Sequence, residues 1–217
     1  MKIHKEGQQI AALLLILTLL SSAITIAQKE NNIVFIVLSC LLFLFTLIIV
    51  FFYRYPDRKC SINENAIYIP ADGEVVACEK VFEKDYFKAE MLQISVFMSI
   101  YNVHVNWAPV AGKIVWKLHN DGKNYPARNP KSSELNEFCK TVIRLNNGKE
   151  VMINQIAGIM ARRIVNNKEV GETIRQGDEL GIIKFGSRVD LFIPLESDIK
   201  INIGQKVKAI TTVAATI

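Results

Sequence analysis

The chain has 217 residues, a formal net charge of +5 and 50% hydrophobic residues. That length admits one ordinary domain of about 160 residues plus an extension. The basic residues are scattered, with no Lys/Arg tract and no aromatic-basic interleaving, so a nucleic-acid partner is not expected. A net +4 remains after residue 53, which suits an anionic membrane surface. Cys40, Cys60, Cys78 and Cys139 lie far apart with no CxxC pair, so neither a disulfide framework nor a metal site is indicated.

The hydrophobic excess sits at the start. Ile10 to Ala27 and Ile33 to Tyr53 carry no charge over 18 and 21 residues. As helices they would be about 27 and about 32 Å long, enough to span a hydrocarbon core. Only Gln28-Lys29-Glu30-Asn31-Asn32 separates them. The first run alone has the flanks of a signal peptide, with Lys2 and Lys5 before it and Ser21, Ser22 and Ala23 within it. A second run so close behind favours a membrane hairpin over residues 1–53; buried core helices are the other reading. Lys2 and Lys5 precede the hairpin and Arg54, Arg58 and Lys59 follow it, so the positive-inside rule puts both ends, and a domain over 54–217, on the cytoplasmic face of the cell membrane.

Beyond the hairpin, Tyr53-Arg54-Tyr55-Pro56-Asp57-Arg58 reads as a juxtamembrane basic segment. In Tyr68-Ile69-Pro70-Ala71-Asp72-Gly73-Glu74-Val75-Val76, Asp-Gly after Pro is a turn signal between strands. Leu92 to Met98 reads as a buried strand, leading into Tyr101-Asn102-Val103-His104-Val105-Asn106-Trp107. Of three histidines, His4 is in the N-terminal tail and His119 in a polar stretch, while His104 alone lies in an apolar, β-prone run. It is either a hydrogen-bonded core residue or a general base. Leu118 to Asn136 is polar and reads as a long loop, of the kind that often serves as a lid. Ser133-Glu134-Leu135-Asn136-Glu137 within it resembles a helix cap. Thr141–Leu145 and Val151–Ile156 read as strands joined by an Asn146-Asn147-Gly148 turn. In Ala157-Gly158-Ile159-Met160-Ala161-Arg162-Arg163-Ile164-Val165, the two arginines point to opposite faces if the segment is a strand; they are either surface residues or anion ligands. Glycine turns between short Val/Ile runs give an all-β class, a barrel or sandwich, for this domain.

The centre of the chain is Lys184-Phe185-Gly186-Ser187-Arg188-Val189-Asp190-Leu191-Phe192-Ile193-Pro194. Val189, Leu191 and Ile193 alternate with Arg188, Asp190 and Phe192, the two-residue period of a strand. On its own Gly-Ser is a hairpin turn. The whole string, together with the ordered elements around Asp72, His104 and Arg162 and the pieces Tyr53–Arg58 and Ser133–Glu137, resembles the short bacterial and archaeal phosphatidylserine decarboxylases, which are pyruvoyl-dependent. The domain also resembles barrel-sandwich hybrid folds.

The family resemblance implies that the bond between Gly186 and Ser187 breaks by attack of the Ser187 hydroxyl. It leaves a pyruvoyl cofactor made from Ser187 and two chains, Met1–Gly186 and Ser187–Ile217. That ketone would form a Schiff base with the amine of a phospholipid substrate. The resemblance further implies that His104 is the general base, that Asp72 orients it, and that Arg162 or Arg163 meets the substrate phosphate. Longer relatives carry a second histidine where this chain has Trp107. Phosphatidylserine, giving phosphatidylethanolamine and carbon dioxide, is the expected substrate, and an ether lipid, archaetidylserine, is the alternative. A non-enzymatic carrier barrel fits poorly, since Lys184 and Lys206 lack a carrier-lysine context. Oligomeric state, a homodimer included, stays open.

Overall fold

The computed structural model describes residues 2–28, 33–122, 135–158, 163–184 and 187–217. They form two compact units, Met1–Asp57 and Arg58–Ile217.

In the first unit, β1 (Lys2–Ile3), α1 (Lys5–Ala27), α2 (Ile33–Phe52) and β2 (Arg54–Tyr55) follow one another. Both helices are long and apolar enough to cross a membrane. They run antiparallel, as two hydroxyl bridges show. Thr18 Oγ1 meets Thr46 Oγ1 at 2.9 Å, and Ser21 Oγ meets Ser39 Oγ at 2.5 Å. Small polar residues facing each other while leucines and isoleucines point outward is the pattern of helices that pair in lipid. Gly7 sits where a Cβ would come within 2.2 Å of the Tyr53 ring. The antiparallel pair Lys2↔Tyr55 joins the two open ends.

The elements of the second unit are strands. The first are β3 (Ala66–Tyr68), β4 (Gly73–Glu83), β5 (Ala89–Met98), β6 (Val105–Trp107), β7 (Gly112–Asn120) and β8 (Phe138–Arg144). Then come β9 (Glu150–Ala157), β10 (Ile164–Val165), β11 (Thr173–Ile174), β12 (Glu179–Ile183) and β13 (Ser187–Ile193). The last are β14 (Asp198–Ile199), β15 (Lys206–Val207) and β16 (Val213–Thr216). Among the described residues the main sheet has the order β11-β7-β8-β9-β13-β5-β4-β15, flanked by three-stranded sheets β10-β12-β6 and β14-β16-β3. This is the all-β architecture expected, with the main sheet curled as a half-barrel. The polar stretch from Leu118 is not all loop: Leu118, His119 and Asn120 continue β7 opposite Lys140, Cys139 and Phe138. Ladder pairing outweighs the low apolar content there, and His119 is a strand residue.

β13 lies between β9 and β5 and is paired along its length on both sides. Alternation then sorts its side chains. Val189, Leu191 and Ile193 join the main core with Val96, Ile94, Ile153 and Val151. On the other face Phe192 joins Met91, Val142 and Met152. That second face is also closed to water, for Arg188 and Asp190 are buried and paired to each other, Nε to Oδ1 at 2.8 Å.

A second buried charge cluster holds the β4–β5 hairpin. Lys140 Nζ donates to Glu83 Oε1 at 2.7 Å and to Asp85 Oδ2 at 2.5 Å. Glu83 Oε2 also accepts the Tyr86 and Phe87 N–H groups at 2.8 and 3.0 Å. Burial pushes the Glu83 carboxyl up, but the Lys140 bond, those two N–H groups and the Lys140 charge outweigh it and hold its pKa below the ordinary value. Its contribution to stability is therefore present above the unfolded-state value and is lost as pH falls through the depressed folded one. Lys140→Met leaves the carboxylates without their cation and is expected to cost about 3 kcal/mol. Urea unfolding in detergent, followed by tryptophan emission, reads that loss. The difference from the parent should shrink as pH falls, because a protonated Glu83 no longer needs the cation.

Candidate active site

Ser187 opens β13 and is fully buried. Its register partners are Met98 on β5 and Ala157 on β9, so its side chain points to the core face. The hydroxyl donates to Met98 Sδ at 3.3 Å. A thioether is a weak acceptor. It holds the hydroxyl in place and competes little with a base for its proton. Met98 is itself fixed by a buried chain of amides. Asn106 Nδ2 reaches Met98 Sδ at 3.6 Å, Gln155 Nε2 donates to Asn106 Oδ1 at 2.9 Å, and Asn166 Nδ2 donates to Gln155 Oε1 at 2.9 Å. Sequence reasoning passed over these residues. The available signal was polar amides at inward positions of apolar strands, where a buried group needs a partner.

His104 is fully buried, one residue before β6. Its Nδ1 lies 3.0 Å from the Asn102 carbonyl. A carbonyl only accepts, so Nδ1 carries a proton, and in the neutral ring Nε2 would hold the lone pair of a base. The His104 carbonyl accepts the Ile183 N–H at 3.2 Å, which places the histidine's backbone beside the strand that leads into Lys184. Lys184 N–H in turn donates to the Arg163 carbonyl at 3.2 Å. His104, Lys184 and Arg163 thus lie side by side across the ends of β6, β12 and β10, at the end of the domain where β13 begins.

Asp72 is buried in the bend before β4. Its carboxylate takes a two-pronged bond from Arg58, Nη1 to Oδ1 at 2.5 Å and Nη2 to Oδ2 at 2.6 Å. Oδ1 also accepts the Ala209 N–H at 2.9 Å. The Arg58 guanidinium lies over the Trp107 ring, 5.1 Å from its centre. Arg58, read from sequence as a juxtamembrane basic residue, is therefore a built part of the domain. Trp107 is the surface its guanidinium covers. Asp72, Ser99 and Asn102 line one cavity of about 520 Å³, which joins the carboxylate to the turn that holds His104. Arg58→Ala strips Asp72 of its cation and is expected to destabilise the domain by about 3 kcal/mol. Arg58→Lys, which keeps charge but not the fork, should recover part of that. Urea midpoints of the two variants check it.

Arg163 is exposed and irregular, so the opposite-face reading applies only from Ile164 onward. Arg162, Gly186 and Ser133-Glu134 lie outside the described residues. Asn136 and Glu137 reach the strands beside them. Asn136 Nδ2 donates to the Ala157 carbonyl at 2.6 Å, and Glu137 Oε1 accepts the Ile164 N–H at 2.9 Å. They clamp both flanks of the segment between β9 and β10. Among the described residues no group of three His, Cys, Asp or Glu side chains is placed to hold a metal ion.

A buried serine opening a central strand and a buried histidine just before β6 point to enzymes as the class to compare. Residues 45–215 match the family model described as phosphatidylserine decarboxylase. The phosphatidylserine decarboxylase proenzyme of Amoebophilus asiaticus is 45% identical over 174 residues, 80% of this chain and 77% of that protein. The proenzyme of Cytophaga hutchinsonii is 44% identical over 172 residues, 79% of this chain and 78% of its own. That of Parabacteroides distasonis is 38% identical over 208 residues, covering 95% of this chain and 94% of its own. The chain belongs to the phosphatidylserine decarboxylase family, which places it among the carboxy-lyases.

Proposed function

We propose that the chain is a membrane-anchored precursor that cuts itself between Gly186 and Ser187, then converts phosphatidylserine to phosphatidylethanolamine and carbon dioxide. The observation that carries this reading is the Ser187 hydroxyl, buried against Met98 Sδ at the first position of β13. In the proposed cleavage His104 Nε2 takes the hydroxyl proton. Oγ then attacks the Gly186 carbonyl carbon, and the amide becomes an ester with Ser187 Nα freed as an amine. Loss of the Ser187 α-proton expels the Gly186 carboxylate and leaves a dehydroalanine. Its hydrolysis releases ammonia and leaves a pyruvoyl group at residue 187.

The residues present fit that group. Its three carbons and two oxygens occupy the volume of Ser187 itself, enclosed by Met98 and Ala157. When formed, it supplies an electron-accepting ketone for a primary amine. The protein's part is to exclude water with the two-sided burial of β13 and to hold a proton on His104. His104 is proposed to give a proton to the substrate carbon after carbon dioxide departs and to regain one from solvent in each turnover. Arg162 and Arg163 remain the proposed phosphate ligands, and Asp72 the proposed support of the histidine end of the site. The helix pair keeps the enzyme with a substrate that stays in the bilayer, and the basic residues at its two open ends favour the cytoplasmic side.

Intact-mass analysis of the purified protein tests the reading together with a headgroup assay. Two chains are expected, the smaller beginning with a keto-acyl group, and ethanolamine lipid should appear with carbon dioxide. An uncut chain, or an ordinary amine at residue 187, in a preparation that still decarboxylates would overturn it.

A further inference from the structure

At the end of the sheet where β13 begins, β5 runs out into a four-residue turn, Ser99 to Asn102. The turn starts one residue after Met98, the register partner of Ser187. It is locked from within. Asn102 N–H donates to the Ser99 carbonyl at 2.9 Å, while Asn102 Oδ1 accepts the Ser99 N–H at 2.9 Å and its hydroxyl at 2.8 Å. The two residues at its tip, Ile100 and Tyr101, are 49% and 72% exposed. In the second unit the other exposed large apolar residues, such as Ile62, Phe82 and Ile203, stand singly in sequence; among the described residues this is the adjacent pair.

The turn has a basic margin. Tyr101 shares its cavity with Lys206 and Lys208. Lys206 stands opposite Glu74 across β15 and β4. The acid behind it, Asp72, is neutralised by Arg58, so Lys208 gives this rim its excess positive charge. Exposed Arg163 lies at the same end of the domain. A rigid apolar tip with an aromatic residue, flanked by lysines, is complementary to an interface of anionic headgroups over acyl chains. Rigidity matters, because a turn already ordered gives up little conformational freedom on insertion.

We propose that the Ile100–Tyr101 turn is a second membrane contact, a wedge that enters an anionic bilayer surface and seats the opening of β13 against the lipid headgroups. It rests on the lipid-decarboxylase reading above and adds to it how substrate is reached: the lipid is met at the surface, with Lys206 and Lys208 facing the headgroup layer.

The test uses the full chain in nanodiscs. Tyr101→Trp introduces an emission that doxyl-labelled lipid should quench in discs containing anionic lipid, beyond the quenching of the parent chain, whose Trp107 is buried and Trp116 half-buried. Quenching no greater than the parent's, or equal in neutral and anionic discs, would overturn the proposal. So would shielding of the new emission by protein concentration alone in detergent, which would mean a second copy covers the turn. In parallel, Ile100→Ser/Tyr101→Ser and Lys206→Ala/Lys208→Ala should each raise KM for bilayer-presented phosphatidylserine by roughly tenfold, with kcat on detergent-dispersed substrate unchanged. An equal loss on both substrate forms would count against docking. Absence of decarboxylation in every form would sink the lipid-decarboxylase reading instead, while the quenching still decides the contact.

Discussion

Ser187→Ala is expected to leave a single species of 24.5 kDa and no decarboxylation above background. The change removes one oxygen from a buried position, and that oxygen's donated bond goes to a sulfur, so little folding energy is at stake. β13 keeps both ladders and the domain should fold as before. What disappears is the proposed nucleophile, and with it the proposed route to a ketone at that position. Denaturing gels and intact mass read the first effect, and carbon dioxide release reads the second. Ser187→Cys is the informative companion, since a thiol can attack the same carbonyl and should restore some cutting. If Ser187→Ala still splits, or still decarboxylates while whole, the cofactor assignment fails.

His104→Gln should slow self-cleavage by about 10²–10⁴-fold. Glutamine can still donate to the Asn102 carbonyl, so the local hydrogen bond survives while the base does not. The time course of precursor loss, followed by mass, measures the effect. His104→Gly separates base chemistry from packing: it empties the imidazole's place, and added imidazole should then speed cleavage. Rescue that grows with the neutral form of the added imidazole would identify a proton acceptor. A variant cutting at the parental rate would show that another group removes the Ser187 proton.

The two N-terminal helices were legible because uninterrupted apolar runs of that length match the thickness of a hydrocarbon core. The hairpin of β8 and β9 was legible from Asn146-Asn147-Gly148, where Gly148 takes the positive φ, 84°, that glycine tolerates. β13 was legible as a strand from its alternation, yet alternation says nothing of what covers the second face. Arg188 and Asp190 look like water-facing residues in sequence and are instead a buried pair. The Arg58–Asp72 fork escaped notice because it is set by tertiary approach across 14 residues with no periodic signal. Met98 escaped for a related reason. An apolar residue in an apolar strand gives no hint that its sulfur faces a hydroxyl.

The strand order has a consequence for the life of the molecule after the proposed cut. The 31 residues from Ser187 onward carry β13 in the middle of the main sheet, β15 at its edge and β16 between β14 and β3. Such a fragment is woven into its larger sibling at three separate seams and has no core of its own. The two products should therefore travel as one body, parting only under denaturant. Once parted they should not find each other again, because the larger piece alone would bare both flanks of a missing central strand. Maturation would then be a one-way passage: the polypeptide must assemble while continuous, and the scission that equips it for chemistry also discards the connection that let it fold.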